Sequence, residues 1–186
     1  MGILPRFDGA KPKKGNPKRA GAGKPQVPIG VVVEQAVKKL PLPSPVIRTS
    51  PDEDFVQVVH VPTWMWVQHR AWDPVSASAA VDGLKVTATA LPRKAVWTMG
   101  EGGKVVCKGP GTPYSDKYAP TASSPDCGYT YRRSSHSRAG RSYTVKVTVT
   151  WDVQWHGGGQ AGQVPGMAMA AERQLVVDEV QAVVVR

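Results

Sequence analysis

The stretch that decides the fold is YTVKVTVTWDVQW, residues 143–155. Every odd position in it carries an apolar side chain and every even position a polar one, over thirteen residues. Successive side chains of a β-strand point to opposite faces of its sheet, so this period of two predicts a strand with one buried and one solvated face. We therefore expect a protein built mainly from β-strands.

The sequence on either side of this strand continues the β pattern. Gly157, Gly158 and Gly159 end the alternation, and residues 163–186 return as extended chain, which predicts a long hairpin. A helix over residues 168–174 is the alternative for part of this return. Upstream, residues 84–90 (LKVTATA) alternate with apolar side chains on the even positions, so they predict a second strand with one buried face.

Short runs of β-branched residues, separated by Gly, Pro and Asp, begin after residues 52–54. The first of them predicts a strand over residues 55–61. Such spacing is typical of a β-sandwich or a barrel. We expect one all-β domain over residues 52–186, which is long enough to enclose a single core.

Residues 1–51 differ in composition from the rest of the chain. They contain nine prolines, and residues 1–48 carry ten Lys or Arg against only Asp8 and Glu34. Proline fixes φ and removes a backbone donor, so we expect a flexible, disordered basic tail over residues 1–51. Residues 31–40 are the exception, because they could form a short helix or strand on the body. The tail is either a solvated linker or a segment that attracts polyanions such as nucleic acid.

The two cysteines, Cys107 and Cys127, both fall in the predicted domain. A bridge between them would close a loop of about 20 residues and stabilise the fold by roughly 3 kcal/mol in the chain-entropy model. The alternative is two buried free thiols. The bridge would imply an oxidising compartment.

Export and membrane insertion are judged from apolar runs. Residues 1–24 lack the apolar core that a signal peptide needs, so an exported protein would have lost its signal or would begin at another residue. Otherwise the protein stays inside the cell. No stretch approaches the roughly 18 apolar residues of a membrane span, so we expect none in this chain.

Three segments, taken in order, resemble the polycystic-kidney-disease (PKD) type of immunoglobulin-like domain. They are residues 97–102 (WTMGEG), residues 129–131 (YTY), and Gly140 followed by residues 143–149 (YTVKVTV). The resemblance implies a two-sheet sandwich stapled by the disulfide. The side chains that we expect in its structural core are Trp97, Tyr131, Tyr143 and Trp151. This chain departs from the pattern at Met99 and Glu101 and in a long insert over residues 104–126.

A second resemblance covers the chain from residue 61 to its end. Residues 62–67 (PTWMWV), 107–114 (CKGPGTPY) and 124–131 (SPDCGYTY), with Trp151 and Trp155, are similar to exported or envelope-associated proteins of actinobacteria that have no established activity. This resemblance implies a secreted or envelope-associated protein.

Candidate contact residues come from the aromatic and basic clusters. Trp64, Trp66 and Trp72 either cap the core or form an exposed patch. Four arginines, including Arg132 and Arg133, lie within ten residues, and Trp with Arg is the combination that ligand-stacking surfaces use. Solvated loop charge is the simpler interpretation of the arginines.

No cofactor, metal site or catalytic constellation is indicated by the sequence. The four histidines are scattered without metal-ligand spacing, and neither cysteine has a nearby histidine that marks a nucleophile. We expect a non-enzymatic binding or structural module of the cell envelope, or of a secretion or surface assembly, with a protein or cell-wall glycan as partner. The alternative is a nucleic-acid-associated protein that binds through residues 1–51.

Overall fold

The computed structural model describes residues 27–179. These residues form one α-helix, two short 3-10 helices and ten β-strands. In chain order the elements are α1 (Ile29–Lys38), β1 (Ile47–Ser50), β2 (Gln57–Val58), β3 (Pro62–Val67), a 3-10 helix (His69–Ala71), β4 (Val75–Val81), β5 (Leu84–Thr98), β6 (Lys104–Cys107), β7 (Gly128–Thr130), a 3-10 helix (Ala139–Arg141), β8 (Tyr143–Gly157), β9 (Gln160–Leu175) and β10 (Val177–Asp178). The prediction of a mainly β protein is confirmed.

Strand β8 lies inside a large sheet with the order β4-β5-β8-β9, in which β6 pairs with the second half of β5. The face of β8 that was predicted to be apolar is buried from residue 143 to residue 153. We call this core-facing side of the sheet the inner face and the solvated side the outer face. The four side chains predicted in the core are all buried: Trp97, Tyr131, Tyr143 and Trp151.

Strands β8 and β9 form the predicted long hairpin. Its turn consists of Gly158 and Gly159, whose φ values of 55° and 74° match the two-residue turn that suits the twist of antiparallel strands. Because β9 pairs with β8 from Gln160 to Leu175, the helical alternative for residues 168–174 is wrong. The last part of the predicted return, residues 180–186, lies outside the described residues.

Strand β5 changes the positions that it buries halfway along its length. Its even-numbered residues are buried before Pro92, as predicted, and its odd-numbered residues are buried after it: Val86, Ala88, Ala90, Ala95 and Trp97. The register with β8 shifts between Pro92 and Lys94. An extra residue in one strand exchanges the two faces of that strand, so this bulge keeps both halves of β5 on the core.

A smaller sheet has the order β1-β3-β7, and β2 pairs with β10 in parallel. Ile47 of β1 and Met65 and Val67 of β3 belong to the same buried cluster as the inner face of the large sheet. The two sheets and α1 therefore share one core.

The strand expected over residues 55–61 is reduced to the two residues of β2. Phe55 is 69% exposed, and the buried Gln57 amide donates hydrogen bonds to the carbonyl oxygens of Pro51 and Asp52 at 3.1 and 3.2 Å. These bonds hold the chain in a turn before β2, so the apolar residues at its start do not enter a sheet.

Helix α1 and strand β1 belong to the folded body, so the predicted boundary of the tail at residue 51 is wrong. Val32, Val33 and Ala36 are buried, and α1 packs on β4 and β5. These apolar side chains share one face of the helix, and they cover the inner face of the large sheet. The expected exception within residues 31–40 is thus a docked helix. Residues 1–26, which hold seven Lys or Arg, lie outside the described residues.

Replacing Ala36 by Asp tests the docking of α1. Ala36 has no exposed surface, so the new carboxylate would be buried without a partner, and we expect unfolding free energy to fall by about 3 kcal/mol. Val31 is 44% exposed on the same helix, so Val31→Asp is the matched control and should change stability by less than about 1 kcal/mol. Urea unfolding measures both. Equal stability of Ala36→Asp and wild type would mean that α1 does not dock.

Candidate functional site

The predicted disulfide between Cys107 and Cys127 is present and joins the two sheets. Cys107 is the last residue of β6, which belongs to the large sheet, and Cys127 directly precedes β7 of the small sheet. Both cysteines are buried. We call residues 108–126, which lie between them, the bridge loop.

The bridge loop covers Trp64, so of the two alternatives for the tryptophans the exposed patch is wrong for this residue. Trp64 is 1% exposed, and its ring centroid lies 5.3 Å from that of Tyr114 and 4.6 Å from that of Tyr118. Its indole N–H donates to the carbonyl oxygen of Ala122 at 2.6 Å. Trp64 is outside the main core cluster, so it packs on the other face of β3 and holds the loop there.

Polar contacts and a close backbone approach fix the bridge loop further. The Asp126 carboxylate accepts hydrogen bonds from the N–H and hydroxyl of Thr112, both at 3.0 Å, and from the Ser124 hydroxyl at 3.1 Å. Gly111 has a φ of 92°, and a Cβ atom there would lie 2.4 Å from the carbonyl oxygen of Met65. The loop is thus seated on β3 where only glycine fits.

The other two predicted contact tryptophans are partly buried and separate from each other. Trp66 lies on the same face of β3 as Trp64, opposite Arg48 in β1. Trp72 follows the first 3-10 helix and packs against the core cluster. The structure therefore does not join Trp64, Trp66 and Trp72 into one exposed aromatic surface.

Three tyrosines bring together the segments that carried the PKD resemblance. Tyr131 stacks on Tyr143 with a centroid distance of 5.5 Å and meets Tyr129 edge-on at 5.0 Å. Gly100, in the turn after Trp97, lies directly against Tyr143. Burial raises the pKa of the Tyr131 hydroxyl above its usual range, and this hydroxyl has no hydrogen-bond partner in residues 27–179.

The basic segment that follows Tyr131 is an ordered, exposed loop, which we call the arginine loop (residues 132–141). The Arg132 backbone N–H donates to the Glu101 carboxylate at 3.1 and 3.2 Å, and the Arg133 guanidinium donates to the Glu101 carbonyl oxygen at 3.1 Å. The Arg138 guanidinium lies 5.6 Å above the centre of the Tyr143 ring, within the range of a cation–π contact. The loop is therefore attached to Glu101 near its start and to Tyr143 near its end.

The four arginines of the arginine loop carry charge that the described part of the chain does not neutralise. None of Arg132, Arg133, Arg138 and Arg141 forms an ion pair within residues 27–179, and all four are exposed. By contrast, Arg48, Arg93 and Arg173 are each paired with a carboxylate. No Asp or Glu occurs between residues 132 and 141. Four positive charges without an ion pair in residues 27–179 are therefore concentrated on this loop.

Ser135, His136 and Asp178 line a cavity of about 250 Å³ beside the arginine loop, and residues of these types form catalytic triads elsewhere. Here the buried Ser135 hydroxyl donates to the Arg141 carbonyl oxygen at 2.6 Å and accepts from the Val177 N–H at 3.0 Å. His136 contacts the Arg141 guanidinium at 2.7 Å. The Ser135 hydroxyl is thus occupied by hydrogen bonds that fix the loop, and the His136 contact is to Arg141.

The sequence marked Arg132 and Arg133 as contact residues but missed what orients them. Ser135 and Glu101 hold the loop, and neither stands out in a sequence that contains many serines and several isolated acids. In the sequence, Glu101 was noted only as a departure from the PKD-like pattern.

Comparisons of the chain with protein-family models, with curated proteins and with solved structures gave no match. Within residues 27–179, no helix has the length and apolar character needed to cross a bilayer. The same residues bring no three His, Cys, Asp or Glu side chains together in a way that could hold a metal ion.

Replacing Gly111 by Ala tests the seat of the bridge loop. The new Cβ would meet the Met65 carbonyl oxygen, and the positive φ is unfavourable for alanine, so we expect a loss of about 2–3 kcal/mol in unfolding free energy. Gly109 lies in the same loop, and a Cβ atom added there would have no neighbour within 4 Å, so Gly109→Ala is the control and should be close to neutral. Thermal unfolding compares them. Equal melting temperatures for the two variants would contradict the close contact with β3.

Proposed function

We propose that this protein is a non-enzymatic binding module of the cell envelope, which contacts an anionic protein or glycan through the arginine loop. The observation that carries the proposal is the group of four exposed arginines on an ordered loop, whose guanidinium groups form no ion pair within residues 27–179. A surface or secretion assembly is one setting in which such a module would act.

The guanidinium group suits this role better than an isolated charge would. Its planar set of donors binds carboxylate, sulfate or phosphate with two parallel hydrogen bonds. The arginine loop is already ordered by Ser135 and Glu101, so little backbone freedom is lost when a partner binds. Exposed charges also speed the encounter with an oppositely charged partner, and salt weakens this effect.

Two further observations support a location at the cell envelope and a PKD-type domain. The Cys107–Cys127 disulfide is consistent with an oxidising compartment, and the resemblance to exported actinobacterial proteins points the same way. The three PKD-like segments meet at the tyrosine cluster, as expected of an immunoglobulin-like sandwich of this type. We therefore extend the proposal to a PKD-type sandwich that is secreted or held at the envelope.

Neutralising the arginine loop tests the proposed contact. We expect the variant Arg132→Ser, Arg133→Ser, Arg138→Ser to lose about tenfold or more in affinity for immobilised dextran sulfate, with uncharged dextran as the reference surface. The control variant Lys85→Ser, Lys94→Ser, Lys104→Ser removes the same charge from the outer face of the large sheet and should lose less than about threefold. Surface plasmon resonance of the full chain measures both. Equal losses would show that only net charge matters and would remove the arginine loop from the proposal.

Nucleic-acid binding is the second candidate, and the seven Lys or Arg against one Asp in residues 1–26 favour it. It predicts that a full chain with those seven residues replaced by Gln loses nearly all affinity for a single-stranded oligonucleotide. It also predicts that wild-type binding weakens steeply with salt. If this variant instead binds dextran sulfate as well as wild type and the arginine-loop variant does not, the first candidate holds.

The compartment is tested by the redox state of the protein isolated from its native cells. We expect it in the envelope or secreted fraction, with an intact mass two hydrogens below that of the dithiol and no alkylation by iodoacetamide without reductant. After reduction and unfolding, both thiols should be alkylated. Native protein that takes up two alkyl groups before any reduction would contradict the envelope proposal.

A further inference from the structure

Two rows of uncharged side chains cross the outer face of the large sheet near the tip of the β8–β9 hairpin. The strand register places Ser76, Thr89, Gln154 and Gln163 in the first row, and Ser78, Thr87, His156 and Ala161 in the second. We call these eight residues the polar rows. All of them are at least partly exposed to solvent. Each row crosses four strands, which corresponds to roughly 15 Å.

The hydroxyl groups at one side of the polar rows are held in place. Ser76 and Thr89 lie 2.9 Å apart, and Ser78 and Thr87 lie 2.8 Å apart, as hydrogen-bonded cross-strand pairs. A broad groove of about 640 Å³ lies over the other side, where Thr89, Gln154, His156 and Gln163 line it. Leu91, which is 36% exposed, adds an apolar contact at its margin.

Charge is segregated along the outer face of this sheet. The polar rows contain no Lys, Arg, Asp or Glu, whereas the opposite half of the same face carries Lys94, Lys146 and Glu172, of which the last two form an ion pair. On one side the rows are bounded by Lys85, which lies next to the turn between β4 and β5. On the other side they are bounded by the Arg93–Asp152 ion pair, with an N–O distance of 3.3 Å. An uncharged surface is therefore enclosed between charged ones.

We propose that the polar rows form a second binding site, which takes a neutral oligosaccharide. Amide, hydroxyl and imidazole groups both donate and accept hydrogen bonds, as the hydroxyl groups of a sugar do. The absence of cations among the eight residues gives no attraction for a polyanion such as nucleic acid. The two central strands, β5 and β8, are paired on both sides at the rows, so a peptide cannot add to them as a strand.

The neutral-glycan site is independent of the arginine loop, so its test can fail without affecting the proposal above. The full chain is run in native affinity electrophoresis through gels that contain hydroxyethylcellulose, glucomannan or dextran. We expect retardation by at least one of these polymers, with an affinity that changes less than about twofold between low and physiological salt, because no charged contact is involved.

Variants that keep shape but remove hydrogen-bonding groups test the residues themselves. Thr89→Val with Gln154→Leu should weaken the retardation about tenfold, because two groups that face the ligand lose their hydrogen bonds. Thr148→Val on the same outer face of β8 is the matched control and should retain wild-type retardation. The arginine-loop variant should retain it as well. Gln163→Ala, at an exposed position, provides a second row variant if the double variant is unstable.

Three outcomes would overturn the inference. The first is that none of the three polymers retards the wild-type chain. The second is that the row variants fold normally and are retarded as strongly as wild type. The third is that Thr148→Val or the arginine-loop variant loses as much as the row variants, since the interaction would then not be located at the polar rows.

Discussion

Strand β8 lies between β5 and β9 at the centre of the large sheet, and its register with these two neighbours is the constraint on which the rest of the structure depends. A slip by one residue would turn its buried face to solvent and its threonines into the core. The same strand also connects the two proposed surfaces. Tyr143 at its start supports the arginine loop, and Gln154 and His156 near its end belong to the polar rows, roughly 40 Å away by the rise of an extended strand.

The second constraint is the covalent connection between the sheets. Cys107 and Cys127 tie β6 to the chain that enters β7. Trp64 then holds the bridge loop on the face of β3 that points away from the core cluster. Long loops are usually mobile, yet this one is fixed by a disulfide, by the packing of Tyr114 and Tyr118 on the buried Trp64 indole, and by the Asp126 hydrogen bonds. The bridge loop thereby covers the face of β3 that carries Trp64. This tryptophan is packed inside the protein and is not available to contact a partner.

Much of this architecture could be predicted from local sequence. The alternation in β8, the hairpin with β9 and the disulfide follow from period, turn residues and cysteine number, whereas Trp97 and Tyr131 were expected in the core only from the PKD resemblance. The features that were missed depend on distant partners. The docking of α1 needs the inner face of β4 and β5. The bulge in β5 had a local sign in Pro92, because sheets tolerate proline at bulges, but the register that it sets depends on β8. The polar rows were missed for the same reason, because Ser76, Thr89, Gln154 and Gln163 become neighbours only through strand register.

The two proposed surfaces, the arginine loop and the polar rows, differ in chemistry and lie near opposite ends of β8. The most direct test is a backbone-amide NMR titration of the labelled full chain, first with dextran sulfate and then with the neutral polymer that binds best. We expect the first probe to shift signals of residues 132–141 and of Glu101, and the second to shift signals of β4, β5 and the β8–β9 tip, with both sets shifted when both probes are present. If both probes shifted one common set of residues, or if the shifts were confined to residues 1–26, the proposal of two separate binding surfaces would be contradicted.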